Sequence, residues 1–262
     1  MGAAPQQRTP PWIVVLAAIG IAFVVLPLIA LLIRAPWSSA GTDLSSSGAW
    51  TALRLSIEVS VIAAALSLLL GAPIAWVLAR SSLPGRSILR AAVILPLVLP
   101  PVVGGVGLLA ALGRSGILGR GLEALGIQLT FTTTGAVVAT TFVSIPLVIL
   151  ATEAGLRSLD PRFEGAAAAM GASRGYALRR VTMPLLRPQL AAALVLAWAR
   201  ALGEFGATIT FAGNLAGRTQ TLPLAVYEAR QTDPGAAILT SLVLVALSLV
   251  VLVAMRDRIF AR

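Results

Sequence analysis

Six long apolar stretches, separated by shorter polar segments, dominate the pattern of this chain. A run of about 20 apolar residues can cross a hydrocarbon core about 30 Å thick as a helix. We therefore predict an all-α polytopic membrane protein in which residues 1–262 form a single transmembrane domain. The predicted spans are residues 12–33, 56–79, 91–112, 135–155, 190–211 and 235–255.

The composition supports a membrane protein, because 58% of the residues are hydrophobic and only 11% are charged. A soluble domain cannot bury that much apolar surface. The first stretch could instead be a cleaved signal peptide. It is longer than the usual apolar region of such a peptide and contains Pro27, so we favour a retained first span.

The third span is the most irregular, since three prolines and three glycines fall within residues 96–107. Irregular backbone at membrane depth is tolerated where protein or a water-filled cavity surrounds it. The span is therefore expected to face the interior of the bundle, as part of a pathway. The alternative is a proline-kinked packing helix whose glycines allow close contact.

The fifth span contains two charged residues, Arg200 and Glu204, which four-residue spacing would place on one helical face. Charges at this depth usually turn toward partners or water. The alternative is that the two neutralise each other between helices. Because Glu204 would repel an anion, the pair suits a gate or scaffold if the cargo is anionic. The candidate pathway residues are Arg200, Gly203, Glu204, Phe205, Gly206, Thr208 and Thr210.

The longest polar interruption is the loop of residues 158–188. Asp160 before Pro161 indicates a capped helix start, and Gly171 is placed to end that helix in a left-handed conformation. Ser173 is expected to cap a second helix, which Pro184 would close. The apolar stripe of the first helix consists of Phe163, Ala166, Ala167 and Met170.

The distribution of arginine predicts the orientation. The N-terminal tail, the second and fourth loops and the C-terminus hold about twice as many arginines as the other loops. By the positive-inside rule, both termini and the loop of residues 158–188 are cytoplasmic. The net charge of +10 could suggest nucleic acid, but these arginines lie at the ends of apolar spans. We expect contact with membrane lipid and not with nucleic acid.

The missing residue types limit the chemistry. The chain has no cysteine and no histidine, and all twenty of its basic residues are arginine. Disulfides and the commonest metal ligands are therefore absent, and so is the lysine of a phosphate-binding P-loop. We predict no catalytic residue, no metal and no cofactor. The chain is expected not to be an enzyme.

The polar loop resembles the cytoplasmic EAA loop of permease subunits in ABC importers, through Ala166, Ala167, Gly171, Val181, Met183 and Pro184. The glutamate of that motif would fall at Gly165, one residue after Glu164, and one residue is about 100° of helix rotation. The resemblance implies that the loop docks on a cytoplasmic ATPase dimer. The alternative is an ordinary basic connection lying on anionic lipid. The implied coupling residues are Glu164, Ala166, Ala167, Gly171, Val181 and Pro184.

Three further segments, residues 95–105, 200–214 and 219–227, resemble permeases of molybdate importers, with sulfate importers as close relatives. This resemblance implies the fold of a type I ABC importer in the bacterial inner membrane. It also implies a homodimeric permease and an extracytoplasmic oxyanion-binding protein. Sulfate, thiosulfate and tungstate permeases are the alternatives within the family.

Two other classes of protein fit the residues less well. A secondary transporter driven by an ion gradient would need acids at mid-membrane and inverted internal symmetry. Only Glu204 is deep in a span, and no clear repeat is present. An intramembrane enzyme would need a nucleophile with a base, or a metal set.

Overall fold

A computed structural model of the chain describes residues 10–41 and 47–260, which contain helices and no strand. The predicted orientation depends in part on the N-terminal tail, which lies outside the described residues. The helices are α1 (Pro11–Arg34), α2 (Ser47–Arg80), α3 (Arg86–Val98), α4 (Pro101–Leu112), α5 (Gly119–Ala124), α6 (Thr133–Ser158), α7 (Pro161–Ala169), α8 (Arg174–Ala177), α9 (Met183–Leu202), α10 (Gly206–Phe211), α11 (Leu222–Thr232) and α12 (Pro234–Phe260).

The helices agree with the predicted all-α membrane fold. Among the described residues, five helices are long and apolar enough to cross a membrane. A sixth span results if α3 and α4 are counted together, although the pair bends by 117°. Pro100 and Pro101 lie at this bend, where proline removes backbone hydrogen bonds.

The second span begins earlier than its apolar run. The run predicts a start at residue 56, but α2 begins at Ser47. The added turns bury one face, because Ala52 is 1% exposed and Leu55 is 8% exposed. Next to them, the Ser56 hydroxyl accepts a hydrogen bond from the backbone N–H of Leu222 at 2.6 Å. A search for continuous apolar residues misses such a helix, since only one face is buried.

Two predictions about the fifth span are wrong. The helix expected over residues 190–211 ends at Leu202, and Pro184 does not close the helix that Ser173 caps. Instead α8 continues through a π-helical segment, Leu178–Thr182, into α9. Proline has no backbone N–H and so leaves one helical hydrogen bond unmade. In the π-helical segment the hydrogen bonds instead join residues five apart. The segment directly precedes Met183 and Pro184, so the helix passes the proline without ending.

The core lies between α2, α6 and α9, which pack against one another along much of their length. Small side chains such as Ala64, Ala193 and Ala197 are almost fully buried there, so the helices approach closely. The indole N–H of Trp198 donates to the hydroxyl of Ser60 at 2.9 Å, which joins α9 to α2. In contrast, no residue of α1 is buried.

Candidate coupling and translocation sites

The loop of residues 158–188 folds as a helix, a glycine turn and a second helix. The Asp160 side chain accepts a hydrogen bond from the backbone N–H of Arg162 at 2.9 Å, and Pro161 is the first residue of α7. Gly171 has a φ of +83°, which glycine adopts without strain. The Ser173 hydroxyl accepts from the backbone N–H of Tyr176 at 3.3 Å. These three local features agree with the sequence predictions.

The apolar stripe of α7 is mostly uncovered. Phe163 is 55% exposed and Met170 is 82% exposed, whereas Ala167 is 5% exposed. Ala166 is also exposed. This stripe therefore makes little contact within the chain. Its two large apolar side chains, Phe163 and Met170, are exposed next to alanines.

Glu164 lies on the inner side of α7. Its Oε1 accepts a hydrogen bond from the Thr182 hydroxyl at 2.8 Å and lies 3.3 Å from Nη2 of Arg80. Arg80 is the last residue of α2, and Thr182 is the last residue of the π-helical segment. The carboxylate thus joins three elements. Of the other coupling candidates, Val181 is half-buried and Pro184 is exposed at the start of α9.

A second carboxylate, Glu153 of α6, binds two arginines. It is 5% exposed and pairs with Arg90 of α3 and with Arg157, whose Nη2 lies 2.9 Å from Oε1. Glu153 is not among the residues that the sequence singles out. The available signal was a single carboxylate four residues before Arg157 in an otherwise apolar helix. The partner on α3 had no local signal, because it comes from tertiary packing.

The charged pair of the fifth span is present, but not on one helical face as predicted. The α9 helix ends at Leu202, and Glu204 lies in the break before α10. Its Oε2 is 2.7 Å from Nη1 of Arg200, although not in hydrogen-bond geometry, while its Oε1 accepts from the backbone N–H of Ala207 at 2.8 Å. Glu204 therefore neutralises Arg200 and also caps α10.

The remaining pathway candidates have different surroundings. Gly203 is exposed at the break, and the Phe205 ring lies 5.1 Å from that of Tyr227. Thr208 is fully buried with its hydroxyl 3.4 Å from that of Thr140, and the Thr210 hydroxyl donates to its own helix at the carbonyl oxygen of Gly206. In this conformation both threonine hydroxyls form hydrogen bonds within the protein.

The breaks of the third and fifth spans lie against each other. A Cβ atom on Gly105 would be 2.6 Å from Cβ of Thr210, and one on Gly206 would be 2.9 Å from Cβ of Pro101. Neither distance is possible for ordinary side chains, so both glycines are required for this close approach. At Gly105 the third span thus matches the second of the two alternatives, a proline-kinked packing helix whose glycines allow close contact.

Comparison with known proteins identifies the family. The model of the family described as "Binding-protein-dependent transport system inner membrane component" matches residues 67–260. The Mycobacterium tuberculosis molybdenum transport system permease protein ModB is 46% identical over 97% of this chain and 96% of its own length. The Escherichia coli protein of the same name is 42% identical over 76% of this chain and 88% of its length. The Salmonella typhimurium sulfate transport system permease protein CysT is 34% identical over 84% of this chain and 82% of its own length.

The fold comparison agrees with the sequence comparison. A chain of a bacterial ABC transporter that imports the acidic polysaccharide alginate superposes with a TM-score of 0.72 at 19% identity, covering 94% of this chain and 95% of that one. At this identity the likeness concerns the fold alone. The family match implies that the chain is a transport component, which works with a binding protein and an ATPase, and not an enzyme. The chain belongs to the family of inner-membrane components of binding-protein-dependent transport systems.

Proposed function

We propose that this chain is the permease subunit of an ATP-driven importer of an oxyanion, and that the oxyanion is molybdate. The permease is a homodimer, takes its cargo from an extracytoplasmic oxyanion-binding protein and is driven by a cytoplasmic ATPase dimer. The observation that carries the proposal is the 46% identity with a molybdenum transport permease across nearly the whole chain. A second candidate cargo is sulfate, favoured by the more distant likeness to a sulfate permease.

The uncovered stripe of α7 supports its assignment as the coupling helix. Large apolar side chains that a loop exposes to water are unfavourable unless a partner covers them. Phe163 and Met170 stand beside alanines, so the partner's cleft can approach the α7 backbone closely. Docking of this face on the ATPase would bury it. With six spans, the loop and both termini lie on the same side, which the arginine distribution assigns to the cytoplasm.

A continuous helix connects the coupling helix to the proposed translocation pathway. The chain runs from α7 through one turn to α8, and the helix then continues through the π-helical segment and α9 to the break at Gly203. The α10 helix after the break packs on α4, which follows the bend of the third span. A shift of the loop would therefore reach both breaks, and their separation would open the pathway.

The electrostatics suit an anion that passes without being trapped. Glu204 is held by Arg200 and Ala207, so its charge is compensated and its position is fixed. The Arg200 side chain remains 29% exposed. Conduction requires weak contacts at each step. Selectivity then resides mainly in the binding protein.

Uptake into proteoliposomes tests the proposal. Vesicles that contain this chain with its ATPase and binding protein are given labelled molybdate, with ATP inside, without ATP, or with excess sulfate. We expect uptake that requires ATP and persists in excess sulfate. Uptake of sulfate in place of molybdate would refute the cargo and leave the coupling intact. Uptake of either ion without ATP would refute the ATP-driven mechanism.

A further inference from the structure

The contacts of Glu164 lead to an inference that rests on the proposed function. We propose that Glu164 transmits movement of α7 to α2 and α9 through contacts within this chain, and not by binding the ATPase. We call the set of Glu164, Arg80 and Thr182 the Glu164 link. It is a positioning device, because its members lie at the coupling loop and not at the break of residues 203–205 where the ion would pass.

Both contacts of the Glu164 link converge on one atom. Oε1 of Glu164 accepts from the Thr182 hydroxyl at 2.8 Å and from Nη2 of Arg80 at 3.3 Å. The partners are 18 and 84 residues away in sequence. A carboxylate that accepts hydrogen bonds from two separate elements fixes their relative positions, and hydrogen bonds with an ionised partner are stronger than neutral ones.

Glu164 lies on the inner side of its helix. The Glu164 side chain is 33% exposed and that of Arg80 is 24% exposed, while Thr182 is 1% exposed. Phe163 and Met170, which form the docking stripe, are far more exposed. Glu164 therefore points toward the membrane domain, behind the surface that a partner would cover.

Little else holds α7 in place. Ala167 is its only buried residue, and the helix packs on α8 and the π-helical segment. With so little apolar burial, its polar contacts carry much of the attachment. Thr182 is also the last residue of the π-helical segment, and such segments occur frequently at functional sites. A displacement of α7 thus pulls on the segment that leads into α9.

The variants separate the two contacts. Glu164→Gln keeps an oxygen for the Thr182 hydroxyl but removes the ion pair with Arg80. Thr182→Val removes only the hydroxyl, and Glu164→Ala removes both contacts. Glu123→Gln is the matched control, because it makes the same chemical change at an exposed carboxylate that has no ion pair among the described residues.

The transport readout is the number of molybdate ions imported per ATP hydrolysed, in the full complex with its binding protein. Glu164→Ala should lower this ratio about fivefold, and Glu164→Gln or Thr182→Val about twofold, as expected for partly exposed polar contacts. ATP hydrolysis should continue, and the ATPase should still copurify. A ratio equal to that of the wild type in Glu164→Ala, or loss of the ATPase from the complex, would overturn the proposal.

A double-mutant cycle tests whether the carboxylate acts through Arg80. If it does, Arg80→Gln combined with Glu164→Gln should lower the ratio no further than either change alone. Additive effects would mean that Glu164 acts on another partner, such as the ATPase, and would overturn the proposal.

A measurement without any partner separates this proposal from the proposed function. Hydrogen exchange of the purified chain in detergent should become faster in Glu164→Ala at the amides of residues 174–182, and remain unchanged in Glu123→Gln. Unchanged exchange in Glu164→Ala would overturn the link even if uptake is ATP-driven. Faster exchange together with ATP-independent uptake would support the link as a structural connection and refute the importer.

Discussion

The end of the helix bundle that carries the loop of residues 158–188 and the break in the fifth span both place a carboxylate beside arginine, but they use it differently. At the end with the loop, Glu164 pairs with Arg80 and Glu153 pairs with Arg90, and both arginines lie on helices that are distant in sequence. At the break, Glu204 contacts Arg200 and Ala207, which are four and three residues away. The first arrangement connects separate helices, and the second stabilises one irregular point in the chain.

This difference predicts how a change at each place spreads. Loss of a long-range contact frees one helix to move relative to another, so transport should suffer more than stability. Loss of the local contact leaves a charge with no partner in a packed region, so stability should suffer first. The following changes test that contrast, from the largest expected effect to the smallest.

The largest effect is expected for Glu204→Ala. The change removes the counter-ion of Arg200 and the cap of α10 at a site that is 3% exposed. Breaking a buried pair by removing one partner costs about 3–5 kcal/mol, and because Arg200 is partly exposed we expect a loss near the lower end of this range. Thermal unfolding of the purified chain in detergent measures this loss.

Glu204→Gln distinguishes the two roles of this side chain. The amide oxygen can still accept from the backbone N–H of Ala207, whereas Arg200 loses its counter-ion. We expect an intermediate loss of stability. If Glu204→Gln were as stable as the wild type, the ion pair would contribute nothing, and Glu204 would act as a helix cap alone.

The next effect concerns the packing of the two broken spans. Gly105→Ala would place a Cβ atom 2.6 Å from Cβ of Thr210, so α4 and α10 must separate. Forced overpacking costs about 1–3 kcal/mol. We expect a lower unfolding temperature and reduced uptake of molybdate in proteoliposomes.

The same helix supplies the control for this packing change. A Cβ atom on Gly107 would have no neighbouring atom within 4 Å, so Gly107→Ala adds the same methyl group in open space. Alanine also favours a helix more than glycine does, so Gly107→Ala should be neutral or slightly stabilising. Equal effects of the two changes would show that the contact between the broken spans is unimportant.

Much of the fold follows from the sequence because its signals are local. The apolar runs predict the spans, and Asp160, Gly171 and Ser173 predict the turns within the loop of residues 158–188. The break after Leu202 was less accessible, because the run of apolar residues continues through it and the charge spacing also fits a regular helix. The break is recognised in the structure by the backbone at Phe205, which has a φ of −126°, and by the hydrogen bond from the backbone N–H of Ala207 to the Glu204 side chain.

The candidate sites show the same limit. Arg200 and Glu204 were recognisable as a pair because they are close in sequence. The contacts from Glu164 to Arg80 and from Glu153 to Arg90 span 84 and 63 residues. Their existence depends on how the helices that carry them pack, and one sequence carries no local signal for that packing.

The smallest effect is expected at Glu153, where a short-range and a long-range contact share one carboxylate. Arg157 lies on the same helix with its side chain 50% exposed, while Arg90 reaches across from α3 and is 32% exposed. Because the Arg157 side chain is half exposed and Arg90 still pairs with Glu153 in its absence, Arg157→Gln should hardly change the unfolding temperature. Arg90→Gln leaves the 5% exposed Glu153 without its contact to α3, so it should lower both the unfolding temperature and the number of ions imported per ATP. If the two variants behaved alike in both measurements, long-range and local ion pairs would be equivalent in this protein, because the two arginines share the same acceptor and differ in which helix they hold.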